Sequence, residues 1–575
     1  MKHIRWWLTL AGFLAVVAIA LAWRFYDIQD YPPGLFPDQA ANGEDVRLIL
    51  NGDVRPFYPR GNGREALFFF IQAAFVKLFG IGVWPMFAAS ALVGSATVVA
   101  LYFATRPIFG RLAALLAAFF LATSYWQMTI SRTGFRAIMI PLCVAAFTAL
   151  AAYVVQAVKQ KKIGLSYLYA ALAGMAFSLG FYTYIAYRMM PAVVLAVFII
   201  LLLAALHPKI GFPHARRYGW QALSGLLAAL ITLLPMIGYF LYHPDAFIGR
   251  AGQVSIFSAD LQRHYGGGTL LGTLQYSVTE TLLSFFAGHG DLNWRHSVAG
   301  YPLLNPLVGF LFLLGFVWAL VGCWRLFVRM IRGKEIHYTL AQAYVVMLWV
   351  AMLVPVVTTA EGMPHGLRSE GLVVPIFMLA GAAGAVIVHW VQRRWKSEPW
   401  RGIALGLVAG LLLIMALYDG ALYFLVSRNS PDAFREYRGD LTAVAAFINQ
   451  YRVAYPDKPR PYLVLDEFSV QTPHFLTGDI ERGYDFTDKS DEPLLKYSLL
   501  DPATSHLTPL AADELIIFTQ STLPDADRYA TKYSGFLEVV QQQKNRFGQE
   551  MMRVYTLRPG VVLPQAPNDE ADLDA

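Results

Sequence analysis

Pro302–Trp324 reads PLLNPLVGFLFLLGFVWALVGCW, and Arg325–Lys334, directly after it, reads RLFVRMIRGK. The first stretch has no charged side chain and is long enough to cross a bilayer, which takes ~20 mostly apolar residues as a helix. The second carries Arg325, Arg329, Arg332 and Lys334. An apolar span stopped by a basic cluster is the repeating unit of a polytopic membrane protein. Working outward, the same reading gives eleven candidate spans: 6–23, 83–105, 112–131, 137–158, 165–187, 189–206, 219–242, 302–324, 339–360, 371–391 and 402–426. Composition agrees. Of 575 residues 56% are apolar and only 15% charged, with mean hydropathy +0.45. Soluble domains carry about 25% charged residues, so a soluble globular protein is excluded, and so is a solvated disordered chain. Cys143 and Cys323 lie in or beside apolar runs, which suggests neither a disulfide framework nor a thiolate metal site.

The net charge of +7 is explained by where the cations fall. Lys2 and Arg5 precede the first span. Arg106 and Arg111, then Lys159, Lys161 and Lys162, then Lys209, Arg216 and Arg217, then the cluster at 325–334, then Arg393, Arg394, Lys396 and Arg401 fill alternate connections. The acids on that side are Glu335 and Glu398. The positive-inside rule makes that side cytoplasmic. No nucleic-acid partner is then needed. The N-terminus is expected inside and the C-terminus outside. Ala20-Leu21-Ala22 resembles a signal-peptidase site, but the apolar run is long enough for a retained anchor, and residues from 24 onward are outside in either case.

The expected organisation is an all-α membrane body over 1–427 with long outer loops at 24–82 and 243–301. A small external α/β domain follows over 428–563, then an acidic tail, 564–575, expected to be disordered. In the first loop, Glu65–Lys77 reads as an apolar helix lying along the membrane. In the external domain, 441–451 reads as a helix, and 462–466, 514–519, 536–540 and 551–557 as strands. No GxxxxGK[ST] phosphate loop is present, which disfavours an ATP-driven pump.

Ionisable residues are scarce within the spans, against an ion-coupled transporter. They gather at outer span ends and in outer loops: Phe36-Pro37-Asp38-Gln39, Gly63-Arg64-Glu65, Ser131-Arg132-Thr133-Gly134-Phe135-Arg136, Tyr182–Arg188, Gly288–His296 and Pro364-His365-Gly366-Leu367-Arg368. In order and placement the Phe36-Pro37-Asp38, Gly63-Arg64-Glu65, Ser131–Arg136 and Pro364–Arg368 pieces resemble the GT-C membrane glycosyltransferases over about residues 5–427. The branch is that of bacterial relatives of dolichyl-phosphate-mannose protein mannosyltransferases and of the aminoarabinose transferase that modifies lipid A. The resemblance implies a bacterial plasma membrane enzyme with its active face outside. Its donor would be a sugar on a polyprenyl phosphate, its acceptor a glycan, lipid or protein hydroxyl, and its first-loop acid, here Asp38, the general base. The family often has Asp-Glu at this point where this chain has Asp38-Gln39, which weakens any metal role for a second carboxylate. No cofactor is implied with certainty, and a divalent metal stays open.

The chemistry fits such residues. A hydroxyl attacking the anomeric carbon must lose a proton, and a carboxylate within hydrogen-bond reach takes it. The phosphate leaves as an anion, so no second carboxyl acid is needed, unlike glycoside hydrolysis. It does need cations. Arg132, Arg136, Arg188 and Arg368 are read as phosphate-binding, being able to grip phosphate oxygens bidentately. Arg64, Glu65, Tyr184, Asp291, Arg295 and His365 are read as substrate-binding. Competing readings exist for each. Asp38 also suits a turn, the arginines suit lipid headgroups, and Tyr182, Tyr184 and Tyr187 suit an interfacial belt. His289, His296 and His365 suit loop hydrogen bonding, because their spacing matches no helical zinc motif. The rival functions are a polysaccharide or O-antigen ligase and a transporter or flippase of lipid-linked sugars.

Overall fold

The computed structural model describes residues 2–60, 63–210, 215–246, 256–359, 362–395, 397–478 and 497–563. The expected disordered tail, 564–575, lies outside the described residues. Among these, ten helices are long and apolar enough to cross a membrane: Trp7–Phe25, Val83–Phe109, Arg136–Lys159, Ile163–Tyr182, Ile185–Leu206, Tyr218–Tyr242, Pro306–Ile331, Thr339–Val357, Arg368–Arg394 and Pro399–Ser427. They account for ten of the eleven spans read from sequence. The chain is a multi-pass membrane protein with an all-α body.

The eleventh stretch, 112–131, is broken in two. Arg111–Thr123 and Tyr125–Ile130 are separate helices, because Ser124 takes an extended ψ of 121° and its side chain accepts a hydrogen bond from the Gln127 amide. Serine in this role caps the second helix at the cost of continuing the first. The Leu67–Phe79 helix has 13 residues, about 20 Å of rise, too short to cross the hydrocarbon layer.

The chain forms two compact units. One comprises Met1–Ile28, Arg55–Phe68 and Phe87–Asn429, and the other Gln29–Val54, Phe69–Met86 and Ser430–Ala575. In the first, small residues let helices approach closely, as membrane packing favours. A Cβ on Gly381 would meet Ala113 O at 2.5 Å and Ala117 N at 2.7 Å. Leu195, Phe198 and Leu202 point outward, as a lipid-facing surface requires.

The second unit holds a five-stranded sheet. Two short strands come earlier in the chain, β1 (Phe57–Tyr58) and β2 (Arg64–Glu65). The sheet consists of β3 (Tyr462–Val464), β4 (Ser498–Leu500), β5 (Ile516–Thr519), β6 (Leu537–Lys544) and β7 (Glu550–Leu557), in spatial order β4-β3-β5-β7-β6. β3 runs parallel to β4 and β5, and β7 is antiparallel to β5 and β6. Alternation divides the core. Leu463, Ile517 and Val554 face Leu441, Val444 and Ile448 of the Gly439–Ala454 helix. Val464, Phe518 and Tyr555 face Ala526 and Tyr529 of the Leu523–Lys532 helix. The strands and helix read from sequence are all present, with β4 and the Gln471–Leu476 and Leu523–Lys532 helices in addition.

The stretch between the first two spans is also more ordered than its sequence suggested. Pro37–Leu50 is a helix with proline in its first turn and Asp38 beside it. Proline at the start and an acid in the first turn are helix-start signals.

Candidate functional site

In the membrane unit, the motif Ser131–Arg136 divides its two arginines between two tasks. Arg132 is wholly buried. Its Nη1 donates to the carbonyls of Trp23 (2.9 Å), Arg24 (3.3 Å) and Tyr26 (2.7 Å), at the C-terminal end of the Lys2–Phe25 helix. Its guanidinium also lies 5.3 Å from the Tyr423 ring centre and 5.7 Å from that of Phe424. Arg24 does the reciprocal job. It donates to Ala122 O (3.1 Å) and Leu121 O (3.2 Å), at the end of the Arg111–Thr123 helix, and to Ser131 Oγ (3.1 Å). Arg132 thus satisfies carbonyls left over at the end of the first helix, and Arg24 those left over at the end of the Arg111–Thr123 helix. Arg132 was expected on a donor phosphate; its position here is that of a helix cap. Arg24 was not singled out in the sequence, because a single arginine at a span end looks like any interfacial residue.

Arg136 turns the other way. Its Nε bonds Glu65 Oε2 at 3.2 Å, and its guanidinium lies over Tyr184 at 5.3 Å from the ring centre. Glu65 is held by the β1–β2 ladder, in which Phe57 pairs with Glu65 and Tyr58 with Arg64. Gly63 makes that approach possible. It has φ +95°, and a Cβ there would strike the Phe57 ring. Arg188 is within electrostatic reach of Glu65. Arg188 lies in a short 3-10 turn (Ile185–Met189) that begins the Ile185–Leu206 span, and Tyr184 immediately precedes it. The structure therefore brings Glu65, Arg136, Tyr184 and Arg188 together, with Arg64 beside Glu65 on β2. Tyr182 serves packing instead, donating to Thr232 O at 2.7 Å.

A second group joins two later loops. Asp291 Oδ1 accepts from the Asn293 amide (2.8 Å). Asp291 Oδ2 accepts from the Gly366 amide (2.7 Å) and lies 2.8 Å from His296 Nδ1. The His296 and His365 rings stack, with centres 4.5 Å apart and 21° between planes. Trp126 Nε1 donates to Gly366 O (3.2 Å), which ties the 364–368 turn to the Tyr125–Ile130 helix. Asn293 Oδ1 accepts from Arg295 N and Nε. Burial pushes the His365 imidazole well below its ordinary value of 6.5, and His296, Arg368 and Arg295 push the same way. His365 is therefore a neutral base at neutral pH. Phe135, next to Arg136, contacts His296 at 5.6 Å between ring centres, so this second group adjoins the first. Asp291, Arg295, His365 and Arg368 are thus brought together, and His296 joins them. His289 is not among these contacts.

Two buried carboxyl groups were missed by the sequence reading. Glu370 accepts from Gln127 Nε2 at 2.6 Å, and Asp419 accepts from Asn305 Nδ2 at 2.7 Å. Both lie within helices counted as spans, where few ionisable groups were expected. A distant amide bonds one oxygen of each, Gln127 from the Tyr125–Ile130 helix and Asn305 from the cap of the Pro306–Ile331 helix, and no spacing rule in the sequence reveals such a pair.

Asp38 belongs to the second unit. It is exposed, while Gln39–Val46 behind it are buried. Glu44 bonds Arg47 (2.9 Å) and His474 Nδ1 (2.9 Å). Leu35 N donates to Thr442 Oγ1 (3.2 Å), and Thr472 Oγ1 donates to Leu35 O (2.8 Å). Gly43 lies under the Phe475 ring, which a Cβ would meet at 2.6 Å. Gln39 is buried; a neutral amide is far cheaper to bury there than a carboxylate.

The family model of dolichyl-phosphate-mannose-protein mannosyltransferases matches residues 66–239, the stretch that carries Arg132, Arg136, Tyr184 and Arg188. ArnT from Cupriavidus metallidurans bound to undecaprenyl phosphate superposes with TM-score 0.53 at 14% identity, covering 96% of this chain and 99% of that one. The same protein in the apo state gives TM-score 0.53 at 15% identity, covering 98% and 100%. An oligosaccharyltransferase from Archaeoglobus fulgidus, tethered with an acceptor peptide containing the NVT sequon, gives TM-score 0.48 at 12% identity, covering 97% and 75%. The comparison with curated proteins finds no match. The chain has the GT-C fold of membrane glycosyltransferases, and its resemblance to the protein mannosyltransferase and ArnT-like family is supported by both kinds of match.

Proposed function

We propose that this protein transfers a sugar from a polyprenyl-phosphate donor to an acceptor hydroxyl at the outer face of a bacterial plasma membrane. The observation that carries the reading is the gathering of Arg136, Arg188, Arg295 and Arg368, from four separate turns, around the Glu65 and Asp291 carboxylates and the His296–His365 pair. A cluster with so many cations and so few anions suits a phosphate group, which accepts several charge-assisted hydrogen bonds at once. Arg132, engaged with backbone carbonyls, acts as a positioning residue for the turn that bears Arg136. The undecaprenyl phosphate bound to a protein of the same fold supports the same donor class.

In the proposed step the acceptor oxygen attacks the anomeric carbon opposite the phosphate. The acceptor proton passes to the Asp38 carboxylate, the bond from anomeric carbon to phosphate oxygen breaks, and the polyprenyl phosphate departs with the electron pair. Inversion follows from the direction of attack. The arginines stabilise charge as it develops on the phosphate, which is where preorganised cations act most strongly. The basic cytoplasmic connections support an inside N-terminus and an external second unit, and Tyr184 and Arg64 are assigned to the sugar side of the donor.

Asp38→Asn tests the reading. Transfer should fall by about 10²–10⁴-fold while the purified variant still binds polyprenyl phosphate. Mass analysis of membrane lipids should show polyprenyl-phosphate sugar accumulating in cells that carry only the variant. Unchanged transfer would remove Asp38 from the mechanism.

A further inference from the structure

We propose that Asp291, His296 and His365 form a binding site for one divalent cation of the zinc class. Each offers one ligand atom, and these atoms lie within 4.8 Å of one another. Two nitrogens and one carboxylate oxygen are the donors zinc prefers, and three protein ligands leave a fourth position open. Tetrahedral bonds of about 2.1 Å set ligand atoms about 3.4 Å apart, so closure asks for side-chain rotation of roughly an ångström and a tilt of the stacked rings.

The surroundings are those of a built site. Asp291 is fixed by the Asn293 and Gly366 amides, and the Gly366 carbonyl is fixed by Trp126. This gives the ligands the outer support that metal sites use to hold their geometry. Asp291 and His296 are buried, and His365 Nδ1 is buried with no hydrogen-bond partner among the described residues. A purely structural Asp291–His296 bond accounts for two members of the trio and leaves that nitrogen without a purpose. Arg295 and Arg368 act electrostatically on His365. They oppose a bare cation, since the ion and one carboxylate already sum to a positive charge. The fourth position should therefore hold an anion, and a phosphate oxygen is the natural choice. That last assignment rests on the donor proposed above, whereas metal binding itself does not.

The test uses the full-length protein in detergent, stripped with EDTA, given equimolar Zn²⁺ and desalted before elemental analysis. One retained ion per chain is expected, with an X-ray absorption shell of two nitrogens and one oxygen from the protein at about 2.0–2.2 Å. His365→Ala should lower the affinity about tenfold or more, and the exposed His264→Ala should leave it unchanged. Asp291→Asn disturbs the loop, so His365→Ala decides. Negligible zinc on the wild type, or equal retention by His365→Ala, overturns the site. Inorganic phosphate should tighten zinc binding; if it does not, the anion assignment falls. No donor or acceptor is present in these measurements, so their failure leaves the Asp38 reading standing.

Discussion

Arg132 and Arg136 belong to one short turn, yet their surroundings have little in common. Arg132 looks inward, to carbonyls at the end of the first helix. Arg136 looks toward Glu65 and Tyr184. The first environment is backbone oxygen, which a guanidinium neither leaves nor exchanges without exposing orphaned carbonyls. The second is side chains that reached this place from distant turns. The difference teaches that an arginine at a span end has to be assigned by what its fork already holds, and not by its position in a motif.

Removing Arg132 should give the largest effect on folding. Arg132→Ala strips partners from buried carbonyls and leaves Arg24 beside a cavity, so a loss on the order of 3–5 kcal/mol is expected. Thermal unfolding in detergent and the yield of monodisperse protein measure it. An Arg132→Ala protein with normal melting that no longer binds polyprenyl phosphate would erase the contrast and return Arg132 to the donor site.

The double variant Glu65→Gln/Arg136→Gln should behave oppositely. Replacing both partners avoids an unpaired buried charge, so stability should change by less than about 1.5 kcal/mol. Transfer should fall on the order of 10²-fold if Arg136 serves the phosphate. Comparable melting with unimpaired transfer would make this pair a structural one as well.

A smaller effect concerns pH. His365 is neutral in the fold because its affinity for a proton is lowered. The unfolded chain binds a proton near the ordinary value of 6.5, so the stability tied to this residue is complete above that pH and declines as pH falls below it. The slope is at most about 1.4 kcal/mol per pH unit. Melting temperature followed from pH 7.5 downward should fall less steeply in His365→Gln than in the wild type; identical slopes would show that His365 protonates freely in the fold. The smallest effect should come from the stability of Asp38→Asn. An exposed acid in the first turn of a helix contributes about 0.3–1 kcal/mol, so the variant should melt nearly as the wild type does.

Much of this was legible in the sequence. The spans announced themselves through long unbroken apolar runs, and the central strands of the second unit through short ones, Tyr462–Leu465 and Leu515–Phe518, rich in β-branched and aromatic residues. The break at Ser124 was harder to see, because a serine between alanine-rich and aromatic segments does not interrupt the hydropathy. Pro37–Leu50 was hidden because its sequence, PDQAANGEDVRLIL, has no apolar stripe. Its buried face is polar and is satisfied by residues such as His474, far along the chain. The same cause accounts for Arg24, Gln127–Glu370 and Asn305–Asp419. Polar pairs between distant elements leave no periodic trace in a sequence, whereas apolar faces do.

The seat of the Asp38 helix has one more consequence, for the timing of synthesis. Leu35 is bonded to Thr442 and Thr472, which lie 407 and 437 positions later. At about 5–20 residues per second, the ribosome needs roughly 20 to 80 s after making Leu35 before either partner exists. Throughout that interval the membrane spans between them are being inserted while the helix bearing Asp38 still lacks its final supports. The helix bearing Asp38 therefore acquires these two supports only once the last quarter of the chain is being translated.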